Sequence, residues 1–68
     1  MEIGKMVRHF RELQELSQVE LAIMANISQP HISQIERGEK EPTFSTLKKI
    51  TEALGITLIE FFTEYVNQ

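Results

Sequence analysis

The feature that most constrains the fold is a pair of short helical patterns, separated by a few residues, in the first half of the chain. Ser17 and Glu20 have the spacing of a capping box, which starts a helix by satisfying two free backbone N–H groups. Ser28 can cap a second helix, and Pro30 falls in its first turn, where the missing N–H costs nothing. Asn26 lies between them and tolerates the left-handed conformation of a tight turn. The pattern predicts a helix-turn-helix.

Apolar residues give both helices an inner face and place this motif at about residues 17–37. Side chains three or four positions apart share one face of a helix. On this rule the residues that face the core are Leu21, Ala22, Ala25, Ile32 and Ile35. Ile27 is predicted to be a buried turn residue, and the small side chain of Ala22 would let a second helix cross at close range.

Three further helices are predicted, and no strand. One runs from about Glu2 to Gln14, one follows Thr43 and ends at Gly55, and the last runs from Leu58 to about Val66. Their predicted inner faces are Met6, Val7, Phe10 and Leu13, then Phe44, Leu47, Ile50 and Leu54, then Leu58 and Phe62. Glu15 stands where Gly usually ends a helix, and a left-handed Glu would cost roughly 1 kcal/mol relative to Gly. The fold class is all-α, a compact five-helix bundle around the central motif.

Composition limits the classes of protein further. The 68 residues are 41% hydrophobic and 25% charged, as in a folded chain with one small core. The absence of cysteine excludes disulfides and thiolate metal sites. No apolar run approaches the roughly 20 residues of a membrane span, and no signal-peptide pattern precedes the first helix. We therefore expect one domain over residues 1–68 in the cytoplasm, with no cofactor, no metal and no membrane contact.

An enzyme is not expected either. His9 and His31 are the only histidines, they fall on different predicted helices, and no carboxylate stands at metal-ligand spacing from either. The chain has no glycine-rich phosphate loop and no Ser/His/Asp order with a supporting fold.

The net charge of −3 weighs against nucleic-acid binding, because domains that bind nucleic acid are usually basic. The distribution of charge softens this objection. Glu52, Glu60 and Glu64 gather near the C-terminus, and residues 22–34 carry no charge. The cationic residues that could border a different surface are Lys5, Arg8, Arg37, Lys40, Lys48 and Lys49. A local patch, and not the total, decides whether phosphates bind.

Several short motifs follow one another over residues 7–62. They are Val7–Arg11, Leu16–Gln18, Glu20–Ala22, Ile27–Ser28, Ile32–Gly38, Pro42, Thr46–Leu47, Ile50, Ala53–Gly55 and Phe62. In these motifs the chain resembles the helix-turn-helix domain of phage repressors, Cro and their bacterial relatives. The resemblance implies a transcriptional regulator, interpreted as a repressor, that binds a pseudo-palindromic operator in double-stranded DNA as a homodimer. The alternative is a protein-interaction module on the same fold, such as an antitoxin or a partner-binding subunit with weak DNA contact.

The resemblance also implies that the helix from Gln29 to Arg37 lies in the major groove. With Ile32 and Ile35 turned inward, the opposite side of this helix offers hydrogen-bonding groups. Glutamine can pair with adenine through two bonds, serine can contact several base edges, and proline can touch a thymine methyl. The candidate base-reading residues are Gln29, Pro30, His31, Ser33 and Gln34.

Gln18 is the first residue inside its helix, where side chain and backbone N–H can both reach a phosphate. Members of the resembled family use Gln here for that contact and to brace the first residue of the next helix. Further phosphate candidates are Arg37, Lys40 and Thr43. For Arg11 and Glu36 the resemblance implies a buried ion pair that links the first helix to the third, which is a structural role.

The last helix carries more apolar residues than one core-facing stripe needs. Ile59 and Val66 lie off that stripe, where they could meet the same surface of a second copy. The predicted dimer interface is Ile59, Tyr65 and Val66. Ile23 and Met24 are apolar where relatives are usually charged, and they either form a second contact surface or widen the buried face.

Overall fold

The computed structural model describes residues 3–67, which form five helices and no strand. The helices are α1 (Ile3–Leu13), α2 (Gln18–Ala25), α3 (Gln29–Glu36), α4 (Phe44–Ala53) and α5 (Leu58–Val66). The predicted all-α fold with a central helix-turn-helix is confirmed. The predicted start of α1 at Glu2 lies outside the described residues. None of the helices in this range is long and apolar enough to cross a membrane.

The helix boundaries follow from local side chains, as predicted. Capping boxes are present at the starts of α2 and α5, formed by Ser17 with Glu20 and by Thr57 with Glu60. Ser28 and Thr43 cap α3 and α4 by accepting hydrogen bonds from the backbone N–H groups of His31 and Thr46. Glu15 and Asn26 both have φ of 57°, so each turn before a helix of the motif uses a left-handed residue other than glycine.

One hydrophobic core draws on all five helices. Its buried apolar residues are Ile3, Met6, Val7, Leu21, Ala22, Ala25, Ile32, Ile35, Leu47, Ile50, Leu54 and Phe61. Full burial of one large apolar side chain contributes about 1.5–3 kcal/mol, so the residues of α3 in this core fix how that helix is rotated. The inner faces predicted for α2 and α3 are confirmed.

Three residues predicted to lie in the core, Leu13, Phe44 and Phe62, are exposed instead. Leu13 is 65% exposed because the last turn of α1 extends past the core, and Leu16 packs against the core after the turn. Phe44 is 70% exposed because the first turn of α4 overhangs the core edge. In α5 the buried residue is Phe61, which stacks on the ring of Phe10 at 5.7 Å between centroids.

Because Phe61 faces the core in place of Phe62, α5 is rotated relative to the orientation predicted from the sequence. With Phe61 inward, its neighbour Phe62 is turned by about 100° and remains 36% exposed. The residues of α5 that pack against the core are therefore Leu58, Phe61 and Tyr65. Ile27, predicted to be buried, is half-buried in the turn between α2 and α3.

The backbones of α1 and α3 lie in direct contact. Gly4 is buried, and a β-carbon added there would overlap the carbonyl oxygen of Ile35 at the end of α3. Only glycine permits this approach without a shift of one helix. The position of α3 is thus set by contact with the first turn of α1 as well as by its own core residues.

Candidate nucleic-acid interface

The outer side of α3 carries the base-reading candidates. Ile32 and Ile35 are 0% and 1% exposed, so they hold the opposite side of the helix toward solvent. Pro30 is exposed there, and the other four candidates, Gln29, His31, Ser33 and Gln34, are half-buried. The structure therefore brings all five onto one short helix whose rotation is fixed from below.

A buried ion pair lies beneath this helix. Arg11 Nε donates to Glu36 Oε2 at 2.7 Å and Arg11 Nη2 donates to Glu36 Oε1 at 3.0 Å, which joins α1 to α3. The side chains are only 11% and 3% exposed. Arg11 Nη1 also donates to the carbonyl oxygen of Leu16 at 2.8 Å. The hydrogen bonds from Arg11 to Glu36 raise the pKa of Arg11 above its usual value, and the pair predicted between these helices is present.

A row of amides connects the ion pair to the surface. Gln18 Nε2 donates to Glu36 Oε1 at 3.0 Å, and Gln29 Nε2 donates to Gln18 Oε1 at 2.8 Å. The carboxylate of Glu36 can only accept, so Gln18 must turn its NH₂ group toward it. The Gln18 oxygen then faces Gln29 and fixes the amide of Gln29 as well. Four residues from three helices thus set the orientation of the first side chain of α3.

Both glutamines keep groups for a ligand. Gln29 retains its amide oxygen and one N–H bond, which together match the N6 and N7 edge of adenine. Gln18 retains one amide hydrogen, and its backbone N–H is among those that a helix leaves without an internal acceptor. A phosphate could therefore bind at the start of α2 while the row of amides stays intact.

Arg37 is held by its neighbours. Its Nε and Nη2 donate to the two carboxylate oxygens of Glu39 at 2.7 and 3.0 Å, and its Nη1 donates to the hydroxyl of Ser33. The hydrogen bonds raise the pKa of Arg37 and lower that of Glu39. Sequence reasoning assigned Arg37 to a phosphate and gave Glu39 no role. The only signal was an acidic residue two positions after an arginine.

The remaining phosphate candidates lie beyond the end of α3. Lys40 is exposed, and its backbone N–H donates to the carbonyl oxygen of Gln34 at 3.3 Å, which keeps it beside the helix. Thr43 uses its hydroxyl to cap α4 and also bonds to the hydroxyl of Thr46 at 3.0 Å. Thr43 forms no hydrogen bond with a described residue of α3, so the structure does not join it to the row of amides.

The outer face of α5 is apolar. Ile59 and Val66 are 78% and 76% exposed, which confirms that they lie off the core. With Leu58, Phe62, Thr63 and Asn67 they line an open groove along the helix. Tyr65 is half-buried against the core, and its ring meets that of Phe62 edge-on at 6.3 Å. Phe62 therefore adds to this surface, although the sequence placed it in the core.

Two apolar residues of α2 are exposed as well. Ile23 is 75% and Met24 is 51% exposed, so neither widens the buried face. Val19, one helical turn before Ile23, is 54% exposed. Of the two alternatives, a second contact surface on this side of α2 stays a prediction.

Comparison with known proteins gives consistent matches. The model of a family described as Helix-turn-helix matches residues 7–61. The immunity repressor protein of Bacillus phage phi105 is 39% identical over 56 residues, which are 82% of this chain and 39% of that protein. The transcriptional regulator PuuR of Escherichia coli K12 is 38% identical over 61 residues, 90% of this chain and 33% of that protein. The chain spans about a third of the length of these curated relatives.

A solved structure agrees over almost the whole chain. The restriction-modification controller protein C.AhdI from Aeromonas hydrophila superimposes with a TM-score of 0.86 at 28% identity. The match covers 90% of this chain and 92% of that one, so the two proteins share one fold.

Proposed function

The chain belongs to the helix-turn-helix family, and from this premise we propose that it is a sequence-specific DNA-binding transcriptional regulator. It acts as a repressor, through a single helix-turn-helix domain, as a dimer on a pseudo-palindromic operator. The names of its relatives, an immunity repressor and a transcriptional regulator, support this proposal. A regulator of this kind performs no chemical reaction and works where bacterial DNA lies, in the cytoplasm.

The observation that carries the proposal is the row from Arg11 through Glu36 and Gln18 to Gln29. A buried ion pair contributes little to stability by itself, because desolvation of the charges offsets their attraction. This pair is instead connected through Gln18 to Gln29, and the connection fixes the orientation of that polar side chain on α3. Fixed donors and acceptors are what hydrogen-bond recognition of a base edge requires.

Base recognition is assigned to the outer side of α3. Gln29 and Gln34 would contact adenine, Ser33 and His31 would contact neighbouring base edges, and Pro30 would meet a thymine methyl. Phosphate contacts would come from Gln18 at the start of α2, from Lys40 and from the start of α4 at Thr43. These contacts lie on either side of α3 along the chain, which is the arrangement expected of a helix held in a groove between two backbones.

Dimerisation is assigned to the outer face of α5. Two half-sites on one face of a duplex are about 34 Å apart, whereas one copy extends 28 Å in its longest direction. A second copy is therefore needed to contact both grooves. The exposed residues Ile59 and Val66, with Tyr65 beside them, offer an apolar surface for it. The area is small, so we expect dimerisation at about micromolar concentration that DNA binding strengthens.

Selection of bound DNA from random oligonucleotides tests this proposal. The expected result is an enriched sequence with two-fold symmetry, and gel shifts on it should show cooperative binding by two copies. A matched duplex with one half-site scrambled is the control and should bind weakly. Enrichment of no sequence would contradict the proposal.

One observation favours a second candidate, a protein-interaction module. All three arginines are paired with carboxylates, Arg8 with Glu12, Arg11 with Glu36 and Arg37 with Glu39. With a net charge of −3, this leaves few cations for phosphates. Salt dependence separates the two functions. DNA binding with about 4–6 phosphate contacts per copy should give a slope near −0.9 per contact in log affinity against log salt. Indifference to salt, with capture of a protein in pull-downs, would favour the second candidate.

A further inference from the structure

We propose that Glu39 positions Arg37 to read a guanine in the major groove, which makes Glu39 a determinant of operator sequence. This inference rests on the proposed DNA-binding function and goes beyond it, because the sequence assigned Arg37 to a phosphate and gave Glu39 no role. Glu39 would touch no base itself. It would act through Arg37, by fixing where the guanidinium lies.

The position of the guanidinium supports base reading. Arg37 follows the last residue of α3, and its side chain folds back one turn to donate to the hydroxyl of Ser33. Ser33 lies on the outer side of α3, between the base-reading candidates Pro30 and Gln34. The cation therefore lies along the face that would enter the groove.

The hydrogen bonds of Arg37 leave the right number of donors. A guanidinium has five N–H bonds, and three of them are taken by Glu39 and Ser33. The two that remain are one on each terminal nitrogen. Guanine presents two acceptors in the major groove, O6 and N7, and two N–H bonds of one arginine are their commonest specific partner.

The charge of the pair argues against a phosphate role. Glu39 lies within 3.0 Å of the cation, so the pair as a whole carries no net charge. A neutral pair releases few counterions when it approaches the backbone, and its carboxylate is repelled by phosphates. The same pair keeps its two free donors. It therefore adds little to binding of DNA in general and much to the choice between bases.

Fixing Arg37 before binding also affects affinity. A free arginine has many rotamers and loses them when it binds a base. The bonds to Glu39 and Ser33 favour one of these rotamers before DNA binds. Arg37 and Glu39 are both 54% exposed, so loss of this restraint should weaken binding to the preferred site by no more than about 5-fold.

The test compares Glu39→Gln with Glu41→Gln on DNA that the wild-type protein has selected. Glu41 is exposed, lies two residues further on and has the same charge, and the hydrogen bonds and salt bridge of Arg37 go to Glu39 and Ser33 instead. Each guanine of the site is replaced in turn by 7-deazaguanine, which lacks the N7 acceptor. Affinities are also measured on a random duplex, and circular dichroism checks that both variants are folded.

We expect one guanine at which 7-deazaguanine weakens wild-type binding but has a smaller effect on Glu39→Gln. Glu39→Gln should lose affinity for the selected site and gain it for the random duplex, whereas Glu41→Gln should change both alike. Arg37→Lys should weaken binding to the selected site about 5- to 150-fold, because lysine cannot form the two-bond contact. In the Arg37→Lys background, Glu39→Gln and Glu41→Gln should become equivalent.

Tighter binding of Glu39→Gln to every sequence, with unchanged guanine preference, would overturn the inference and show that Glu39 only masks a phosphate contact. Equal effects of Glu39→Gln and Glu41→Gln in the wild-type background would overturn it too. In both cases the wild type still selects a sequence, so the proposed function survives. Selection of no sequence by the wild type would instead reject both.

Discussion

The outer side of α3 and the outer face of α5 are both exposed to solvent, but the chain holds them in different ways. On α3 the side chain of Gln29 is tied to a buried ion pair through Gln18. Ile59 and Val66 on α5 are three-quarters exposed and have no such support. Hydrogen bonds to bases are directional and need fixed partners, whereas apolar association depends mainly on area. The difference teaches that polar recognition requires a structure beneath the surface and that apolar recognition does not.

The largest effect is expected from breaking the support beneath α3. Arg11→Ala leaves the carboxylate of Glu36, 3% exposed, without its cation. Stranding a buried charge costs roughly 3–5 kcal/mol of unfolding free energy. A core of this size supplies little more than about 3–5 kcal/mol in total, so the variant should be largely unfolded in urea titrations. Arg8→Ala is the control, because Arg8 and its partner Glu12 are 63% and 54% exposed and such pairs contribute about 0–1 kcal/mol.

A double variant sharpens the same comparison. Arg11→Met with Glu36→Leu replaces the ion pair by apolar groups, which is often neutral for stability. It also removes the acceptor of Gln18. We expect the double variant to recover most of the unfolding free energy that Arg11→Ala loses, and to bind DNA poorly. Full DNA affinity in a stable double variant would show that the ion pair does not support recognition.

The second largest effect is expected on α5. Ile59→Glu places a charge on the apolar face and should prevent two copies from associating. Loss of linked binding at two half-sites should lower affinity for a full site about a hundredfold, with unchanged thermal stability. Ile23→Glu on α2 is the control, since Ile23 is 75% exposed and Ile59 is 78% exposed. Sedimentation over a concentration series would contradict the prediction if Ile59→Glu associated like the wild type. Loss of association in Ile23→Glu alone would move the interface to α2.

Smaller effects should distinguish Gln18, at the start of α2, from Gln34, on the outer side of α3. Gln34→Ala should relax preference at one base of each half-site and cost about 1–3 kcal/mol on the preferred site. Gln18→Ala should weaken binding to all sequences, because its assigned partner is a phosphate, and should also relax preference at the base assigned to Gln29, because Gln29 loses its acceptor. Gel shifts on a panel of single-base variants separate these outcomes. An unchanged preference in Gln34→Ala would mean that another side of α3 faces the bases.

The smallest expected effect concerns acid stability at the start of α2. Hydrogen bonds from the backbone N–H and then the hydroxyl of Ser17 lower the pKa of Glu20 below its ordinary value of 4.5. A lowered pKa in the folded protein stabilises it above that ordinary value, and the contribution is lost as the pH falls through the folded pKa. Glu20→Gln should therefore flatten the decline in unfolding temperature below pH 4.5. An acid profile equal to that of the wild type would disprove this.

The parts of the fold that depend on near neighbours in sequence were predictable. Ser17 and Glu20 are three residues apart, and both the capping box and the left-handed turn at Asn26 followed from residue types alone. The same holds for Ile32 and Ile35, whose spacing placed the opposite side of α3 in solvent. The exposure of Ile59 and Val66 followed from an excess of apolar residues over one stripe.

The wrong predictions of burial concern positions where the outcome depends on how far neighbouring helices extend. Periodicity gives the side of a helix, but it does not say how far a partner extends, so Leu13 and Phe44 were placed in a core that stops short of them. In α5, six of the nine residues are apolar, which allowed more than one rotation, and packing on Phe10 selected Phe61 over Phe62. The bonds between Arg37 and Glu39 needed coordinates, because charges two residues apart form such a pair only in certain loop conformations.

Gly4 bears on any experiment that substitutes every position in turn and scores repression. Its α-carbon faces the carbonyl of Ile35, so even alanine would force α1 away from α3 and shift the end of α3, where Gln34 lies. Such a scan would rank position 4 beside Gln34, although Gly4 is buried and cannot touch DNA. Thermal denaturation of the same variants tells the two apart, since Gly4→Ala should lower the unfolding temperature and Gln34→Ala should not. In a chain this small, the positions that are sensitive to mutation therefore include residues that support the DNA-binding surface as well as residues that contact DNA.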